Sequence, residues 1–293
     1  MKSDDTTGQP IHGDGEQTVR SVRERYGTIA RTGSGCCPPQ AGCCGGGSSE
    51  QLIALGIGYT PADLELLPDG ANLGLGCGAP IAQLALVPGE TVLDLGSGAG
   101  VDAILAARAV GSTGRVLGVD MTAEMLERAR ANAAAAGLDN VEFRQGRLES
   151  LPVDDASVDA VTSNCVINLV PDKAAVFREI HRVLRPGGRL VIADILLDGE
   201  LPAAIAGDVL AWVGCIAGAM ERTRYFALLA QAGLREVEVL RDVDFLAATG
   251  GDDPAELRDV MAAAGITAAD IAGIVHSVTF RAIKPPTDAR VAP

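Results

Sequence analysis

The chain has 293 residues, of which 47% are hydrophobic and 3% aromatic, and its formal net charge at pH 7 is −14. This composition fits a globular protein with room for one domain and its extensions. The negative charge argues against a nucleic-acid partner, because phosphate groups would be repelled. No apolar run reaches the roughly 18 residues of a membrane span, and the N-terminus lacks the apolar core of a signal peptide. We therefore expect no membrane partner and a cytoplasmic location.

The first 50 residues are predicted to be a flexible segment that contains a cysteine-rich loop. Residues 1–17 are polar and aperiodic, whereas residues 18–30 have the apolar spacing of a short helix. The glycine-rich loop that follows cannot form regular structure. It contains two pairs of adjacent cysteines, Cys36 with Cys37 and Cys43 with Cys44.

Cysteines in a cytoplasmic chain do not indicate a disulfide framework. The four in the loop are therefore either incidental to a low-complexity segment or functional in a loop that folds over a ligand.

Residues 51–90 then lead into the main domain. A short helix is predicted after Pro61, followed by a glycine-rich stretch that holds Cys77.

The strongest motif is a strand, a glycine turn and a helix. The apolar strand ends in Asp94, three alternating glycines follow (Gly96, Gly98 and Gly100), and an Ala- and Leu-rich helix comes next. Glycines at such a turn let the backbone bend tightly and approach a ligand closely. A dinucleotide site would have glycine or alanine where this chain has Val101. The motif therefore favours a different nucleotide-like ligand.

The ligand is indicated by a second strand end. Twenty-six residues after Asp94, an apolar strand ends in Asp120, where an acid can accept hydrogen bonds from both ribose hydroxyls of an adenosine. Together the two strand ends resemble the S-adenosylmethionine site of Rossmann-like methyltransferases, which implies that cofactor. Beyond the glycine turn, the expected cofactor-binding residues are Asp120, Met121, Leu148, Glu149 and Asn164.

From residue 91 to residue 200 strands and helices alternate. Further strands are predicted at 115–120, 141–146, 158–164 and 189–195, and helices at 123–137 and 172–184. This order predicts an α/β fold: a doubly wound, mostly parallel, seven-stranded Rossmann-like methyltransferase sheet with helices on both faces. We place the cofactor-binding domain at residues 51–200.

Residues 201–293 are predicted to form a C-terminal extension. Helical stretches come first, and two alternating strands at 236–245 and 275–284 then close the sheet as a reversed pair. The helical insert between these strands, at 252–272, has the size of a small lid. We assign no role beyond packing to residues 246–293.

Three further cysteines are scattered singly: Cys77 before the first strand, Cys165 at the end of the fourth, and Cys215 on a later helix. Each is explained alone as a small buried hydrophobe. Together with the loop cysteines they could converge on a soft ion, which thiolates prefer. Structural zinc fits poorly, because its ligands are typically spaced C-x₂₋₄-C, whereas the loop cysteines are adjacent. A catalytic disulfide relay would leave the methyl donor unexplained, whereas a thiophilic methyl acceptor explains both features.

Five segments together resemble the arsenite methyltransferases: NLGLGCG, DLGSGAGVD, VDMT, SNCVINLVPDKAAVFREIHRVLRPGG and WVGC…GAM. The resemblance covers roughly residues 18–245. It implies that trivalent arsenic, bound by thiolates, attacks the sulfonium methyl of S-adenosylmethionine in an arsenic detoxification reaction. The acceptor cysteines carry over to Cys77, Cys165 and Cys215, plus one from the loop. The chain departs from the family by doubling the loop pairs, so the corresponding residue among Cys36, Cys37, Cys43 and Cys44 stays open.

The resemblance also implies the reaction partners: arsenite and methylarsenite as substrates, and a thiol reductant such as thioredoxin or glutathione. The attacking arsenic carries no proton, so no general base is needed, and His181 and His276 are interpreted as packing or surface residues. Two alternatives remain. A methyltransferase for a small quinone-type carbon acceptor would share the layout but not need the thiols. A non-enzymatic thiol-rich protein that sequesters soft metals would show no affinity for the cofactor.

Overall fold

The computed structural model describes residues 15–33, 49–202, 218–244, 261–263 and 265–287. Cys36, Cys37, Cys43, Cys44 and Cys215 lie outside the described residues, as do residues 252–260 of the predicted helical insert.

Eight helices are named among the described residues. They are α1 (Gly15–Thr32), α2 (Ser49–Ile57), α3 (Pro61–Glu65), α4 (Val101–Val110), α5 (Ala123–Ala135), α6 (Lys173–Val183), α7 (Arg222–Gln231) and α8 (Ala268–Ile271). Two short 3₁₀ helices, Pro80–Gln83 and Ile167–Leu169, lie between them.

The strands form one mixed sheet. They are β1 (Thr91–Leu95), β2 (Arg115–Asp120), β3 (Val141–Gln145), β4 (Val158–Asn164), β5 (Leu184–Leu197), β6 (Met220–Glu221), β7 (Arg235–Asp244) and β8 (Val275–Ile283). Their order is β3-β2-β1-β4-β5-β8-β7, and β6 pairs with the end of β5. The first five strands are parallel, whereas β8 runs antiparallel to β5 and β7 antiparallel to β8.

The predicted fold is confirmed, including the reversed final strand pair. The two-residue β6 adds an eighth strand, and β5 extends at both ends of the predicted 189–195. The helix predicted at 172–184 spans Lys173–Val183, because the Asp172 side chain caps its start by accepting the Ala175 N–H at 2.9 Å. The helix predicted at 18–30 is longer and begins at Gly15.

Apolar side chains fill both faces of the sheet, as expected for parallel strands covered by helices. On one face α6 and α7 pack an aromatic cluster in which Tyr225 lies edge-on to Phe177 and Phe280, with ring centroids 5.1 and 5.8 Å apart. On the other face, α4 and α5 pack alanine-rich surfaces against β1, β2 and β3. Within the described ranges, no helix combines the length and the hydrophobicity that crossing a membrane requires.

Helix α1 lies across the domain edge next to α5. The Arg31 side chain pairs with Glu124, and Arg128 of α5 donates to the Ala30 carbonyl at 2.9 Å. These contacts fix α1 beside the carboxyl ends of β1 and β2, which is where α/β sheets of this kind bind their ligands.

Candidate active site

A cavity of about 1210 Å³, including its open mouth, lies at the carboxyl ends of β1, β2 and β4. Its walls include most of the residues that the sequence predicts for the cofactor, namely Asp94, Gly96, Gly98, Asp120, Met121, Leu148, Glu149 and Asn164. Helix α1 contributes apolar side chains to the same cavity, Val19, Val22 and Tyr26.

The glycine turn forms the floor of this cavity. Gly96 has a φ of +65°, and a Cβ there would lie 2.4 Å from a methyl carbon of Val166, so the turn excludes any side chain. The N–H groups of Gly96 and Ser97 donate to the Val119 carbonyl at 2.8 and 3.1 Å, which ties the turn to the end of β2. Gly100, the third predicted glycine, is set back at the start of α4, where a Cβ would meet Phe143 at 3.3 Å.

Asp120 supports the turn from β2. One of its carboxylate oxygens accepts the Gly98 N–H at 3.0 Å, and the other accepts the Thr122 N–H at 2.8 Å. The Thr122 hydroxyl and the Met121 N–H also act on this carboxylate as donors. Asp120 thus holds the turn in place on the wall of the cavity.

A second carboxylate, Asp102, lies in the first turn of α4 and is buried. It accepts hydrogen bonds from the Tyr59 hydroxyl at 2.8 Å and from the Asn164 amide at 3.1 Å. Neither Tyr59 nor Asp102 is predicted as a site residue from the sequence. The signal for Asp102 is an acid in the first turn of a mostly apolar helix.

The cavity brings three carboxyl groups close together. Burial raises the pKa of Asp102 to about 6, even though its hydrogen bonds from Tyr59 and Asn164 lower it. Burial also raises the pKa of Asp94 well above its usual value, and the nearby charges of Asp102 and Asp120 raise it further. The pKa of Asp120 is raised by burial as well, against its backbone hydrogen bonds. Three crowded carboxyl groups favour a cationic ligand.

These residues fit S-adenosylmethionine. Asp94 is 2% exposed, and its Oδ2 atom has no hydrogen-bond partner within the described part of the chain. A buried unpaired carboxylate oxygen is costly, and the amino or sulfonium group of the cofactor would offset that cost. Asp120 lines the same cavity, and the bare backbone around Gly96 and Gly98 leaves room for the amino-acid part of the cofactor.

The two described cysteines lie in one apolar cluster, with Val22, Leu169 and Ala193 around them. Cys165 lines the cavity, and Cys77 follows Gly76, which also lines it. Both thiols are buried, at 8% and 3% exposure. The convergence of these two thiols on one ligand stays a prediction.

Cys165 has an unusual backbone. Its φ is +57°, and its N–H donates to the Ala193 carbonyl on β5 at 2.8 Å. A residue other than glycine seldom adopts this left-handed conformation, and such strain concentrates at functional positions. The backbone turns at the end of β4 so that the Cys165 side chain enters the apolar cluster.

Asn164 is engaged by the protein itself. Its carbonyl oxygen accepts the N–H groups of Cys77 and Gly78 at 3.0 and 3.2 Å. Its amide donates to the Gly78 carbonyl, the Tyr59 hydroxyl and Asp102. The residue predicted for the cofactor therefore also connects the glycine-turn side of the cavity to the thiol side.

The sequence matches known proteins over much of its length. The model of the methyltransferase domain family matches residues 86–233, about half of the chain. An arsenite methyltransferase of Halobacterium salinarum is 43% identical over 77% of this chain and 59% of its own length. One of Aquipseudomonas alcaligenes is 40% identical over 49% of this chain and 43% of its own length. The chain thus spans less than two thirds of the length of these two relatives.

A solved structure gives the same result. The arsenic(III) S-adenosylmethionine methyltransferase of Chlamydomonas reinhardtii superposes with a TM-score of 0.61 at 35% identity, covering 80% of this chain and 74% of that one. The fold, the matched domain and these relatives together show that the chain belongs to the arsenite methyltransferase family of S-adenosylmethionine-dependent methyltransferases.

Proposed function

We propose that the protein transfers the methyl group of S-adenosylmethionine to trivalent arsenic held by cysteine thiolates, first to arsenite and then to methylarsenite. One observation carries the proposal. Two buried thiols, Cys77 and Cys165, share one apolar cluster at a cavity that three crowded carboxyl groups also line. The names of the related proteins point to the same substrate.

The carboxyl groups would hold the cofactor by its charge and its ribose. Asp94 and Asp102 lie beside the glycine turn, where ionised carboxylates would attract the positive amino and sulfonium groups. Asp120 would accept the ribose hydroxyls. When bound, S-adenosylmethionine supplies the methyl group: the arsenic lone pair forms the arsenic–carbon bond, and the electrons of the broken carbon–sulfur bond return to sulfur.

The thiols would hold arsenic in the correct orientation. Arsenite exchanges its hydroxides for thiolates and releases water, and three sulfur ligands leave the arsenic lone pair available. Fixing this lone pair in line with the methyl group converts a bimolecular encounter into an intramolecular one, worth up to about 7–11 kcal/mol. The apolar side chains of Val22 and Leu169 around the thiols would exclude competing water.

A reductant completes the electron balance. Methyl transfer leaves arsenic formally pentavalent and positively charged, so two electrons must return it to the trivalent state. A pair of thiols can give these electrons by forming a disulfide, which thioredoxin or glutathione would then reduce. Such a cycle needs a reducing compartment, which agrees with the predicted cytoplasmic location. Its product would serve arsenic detoxification.

The test is direct. The purified full chain is incubated with arsenite, S-adenosylmethionine and a thiol, and arsenic species are separated and quantified by mass spectrometry. We expect methylated arsenic from the parent and none from Cys165→Ser. If a demethylated quinone is methylated instead, and Cys165→Ser keeps that activity, the carbon methyltransferase alternative is correct. Arsenite binding without cofactor affinity would identify a sequestering protein.

A further inference from the structure

The backbone of Cys77 is held on both sides although it belongs to no helix or strand. Cys77 lies in the connection between α3 and the 3₁₀ helix Pro80–Gln83. A thiol on an irregular segment would sample many directions, yet this one is only 3% exposed. Specific contacts must therefore fix the segment.

The first contact is made by the Cys77 N–H group. The Cys77 N–H donates to the side-chain oxygen of Asn164 at 3.0 Å, and the Gly78 N–H donates to the same atom at 3.2 Å. The Asn164 amide group donates back to the Gly78 carbonyl at 2.7 Å. A side-chain amide has two lone pairs and two hydrogens, so these bonds use most of its capacity. Asn164 thus holds the Cys77 segment by three hydrogen bonds, while its amide also contacts Tyr59 and Asp102.

The second contact is made to the Cys77 carbonyl by a residue near the C-terminal end of the chain. The Ser277 hydroxyl of β8 donates to the Cys77 carbonyl at 2.6 Å, across a sequence separation of 200 residues. Ser277 is 7% exposed and pairs with Ile195, a member of the apolar cluster that contains both thiols. The C-terminal strand therefore reaches the site directly.

The two glycines beside Cys77 make these contacts possible. A Cβ on Gly76 would lie 2.9 Å from the Asn164 amide nitrogen, and a Cβ on Gly78 would lie 2.5 Å from the Cβ of Ala193. Only hydrogen fits at either position. The segment therefore lies flat on β4 and β5, with both peptide groups of Cys77 within reach of their partners.

We infer that Ser277 and Asn164 are positioning residues that together fix the Cys77 backbone, so that its thiol enters the site in one direction. With both peptide groups held, only the side-chain torsion of Cys77 remains free. Ligand groups held in place before binding lose less entropy when they bind. The consequence for arsenic rests on the proposed function, whereas the consequence for the thiol itself does not.

The first experiment compares Ser277→Ala with Ser163→Ala. Ser163 is a fully buried hydroxyl on β4 with no hydrogen-bond partner among the described residues, so its loss is a matched control. The full chain is alkylated with iodoacetamide, and the rate at each cysteine is measured by peptide mass spectrometry. We expect Ser277→Ala to speed the alkylation of Cys77 roughly fivefold or more, since the net value of a hydrogen bond corresponds to such a factor. Ser163→Ala should match the parent.

The second experiment measures the cofactor affinity and adds two further variants. Ser277→Ala should leave the affinity for S-adenosylmethionine unchanged within about twofold, because the Ser277 hydroxyl is bonded to the Cys77 carbonyl. Ser277→Thr, which keeps the hydroxyl, should restore the protection of Cys77 from alkylation. Ser277→Val has the shape of threonine without the hydroxyl and should not. The comparison of Ser277→Thr with Ser277→Val separates the effect of the hydrogen bond from the effect of packing, even if the alanine variant unfolds.

Alkylation of Cys77 at the parental rate in both Ser277→Ala and Ser277→Val would overturn the inference. A measurement on the unaltered chain gives a further check: the Cys77 amide should be protected from hydrogen exchange, and exchange as fast as in an open coil would also overturn it. Failure of the proposed function looks different. In that case the parent would not bind or methylate arsenic, while the alkylation and exchange results would still decide the role of Ser277.

Discussion

The Tyr59 hydroxyl donates a hydrogen bond of 2.8 Å to Asp102, and both side chains are buried beside the glycine turn. Tyr59 lies between α2 and α3, whereas Asp102 begins the helix that follows the turn. The contact therefore fastens the segment before the sheet to the centre of the site. The contact also affects the titration of Asp102. Burial raises the pKa of this carboxyl group to about 6, and the hydrogen bond from Tyr59 acts in the opposite direction.

We predict that Asp102 makes the fold less stable as the pH rises. A carboxyl group whose pKa is raised in the folded state favours folding while it is protonated, and this contribution is lost as the pH passes through about 6. Between about pH 4 and pH 7, the parent should lose on the order of 2–3 kcal/mol of unfolding free energy relative to Asp102→Asn. Urea unfolding at both pH values measures this difference. A difference that is independent of pH would show that Asp102 titrates normally.

Tyr59→Phe tests the same contact from the other partner. Without the hydroxyl, Asp102 loses a donor that favours its ionised form, so its titration should move to higher pH. The unfolding free energy at neutral pH should fall by about 1–3 kcal/mol, because a buried carboxylate loses a hydrogen bond. The pH dependence of the variant, measured by the same urea titrations, reports the shift.

A separate prediction concerns Asp120, which holds the Gly98 and Thr122 N–H groups. Asp120→Ala should weaken S-adenosylmethionine binding by about 1.5–3 kcal/mol, the range for hydrogen bonds to a charged group. Asp120→Asn keeps one oxygen acceptor and should lose less. Calorimetric titration gives both affinities. Methylarsenite should bind both variants as it binds the parent, and unchanged cofactor affinity in Asp120→Ala would exclude Asp120 from the site.

Local sequence patterns are sufficient for the fold and for finding carboxyl groups that line the cavity. Strand periodicity, the glycine turn and the two strand-terminal acids are determined by neighbouring residues, so Asp94 and Asp120 were found without coordinates. Their positions at adjacent carboxyl ends follow from the parallel order of the strands. The cysteine pair was found through its residue type, since thiols point to a soft ligand wherever they lie.

Contacts between distant segments could not be predicted. Tyr59 and Asn164 are 105 residues apart, and Ser277 is 200 residues from Cys77. Tyrosine and serine are common in cores and strands, so their type gives no signal. The C-terminal strand was assigned only a packing role for this reason. The covering of the cavity by Val22 of α1 likewise depends on tertiary packing.

The left-handed backbone conformation of Cys165 leads to predictions for the stability and the methylation activity of its variants. At its φ of +57°, glycine relieves strain of about 1–2 kcal/mol, which exceeds the roughly 0.8 kcal/mol lost with one buried methyl group. Cys165→Gly should therefore be at least as stable as Cys165→Ala in urea unfolding. Both should lack arsenic methylation. In the regular strand at Ser163 the order should reverse, with Ser163→Gly less stable than Ser163→Ala by about 1 kcal/mol.

The number of exchangeable positions on arsenic predicts which cysteines each substrate needs. Inorganic arsenite has three exchangeable positions and can use three sulfurs. Methylarsenite has two, because its carbon bond does not exchange. We expect Cys165 and Cys215 to contact every arsenic substrate, and a cysteine of the N-terminal loop to supply the third sulfur. Replacing either Cys165 or Cys215 alone should then abolish methylation of both substrates.

Replacing Cys36, Cys37, Cys43 and Cys44 together by serine should give a different result. The variant should lose methylation of arsenite, because a third sulfur ligand is missing. It should keep methylation of methylarsenite near the parental rate. Separate assays with each arsenical, with products quantified by mass spectrometry, measure the two activities. If the quadruple variant still methylates arsenite at the parental rate, the loop is not a ligand. The third sulfur would then be that of Cys77, whose backbone Asn164 already holds beside the site.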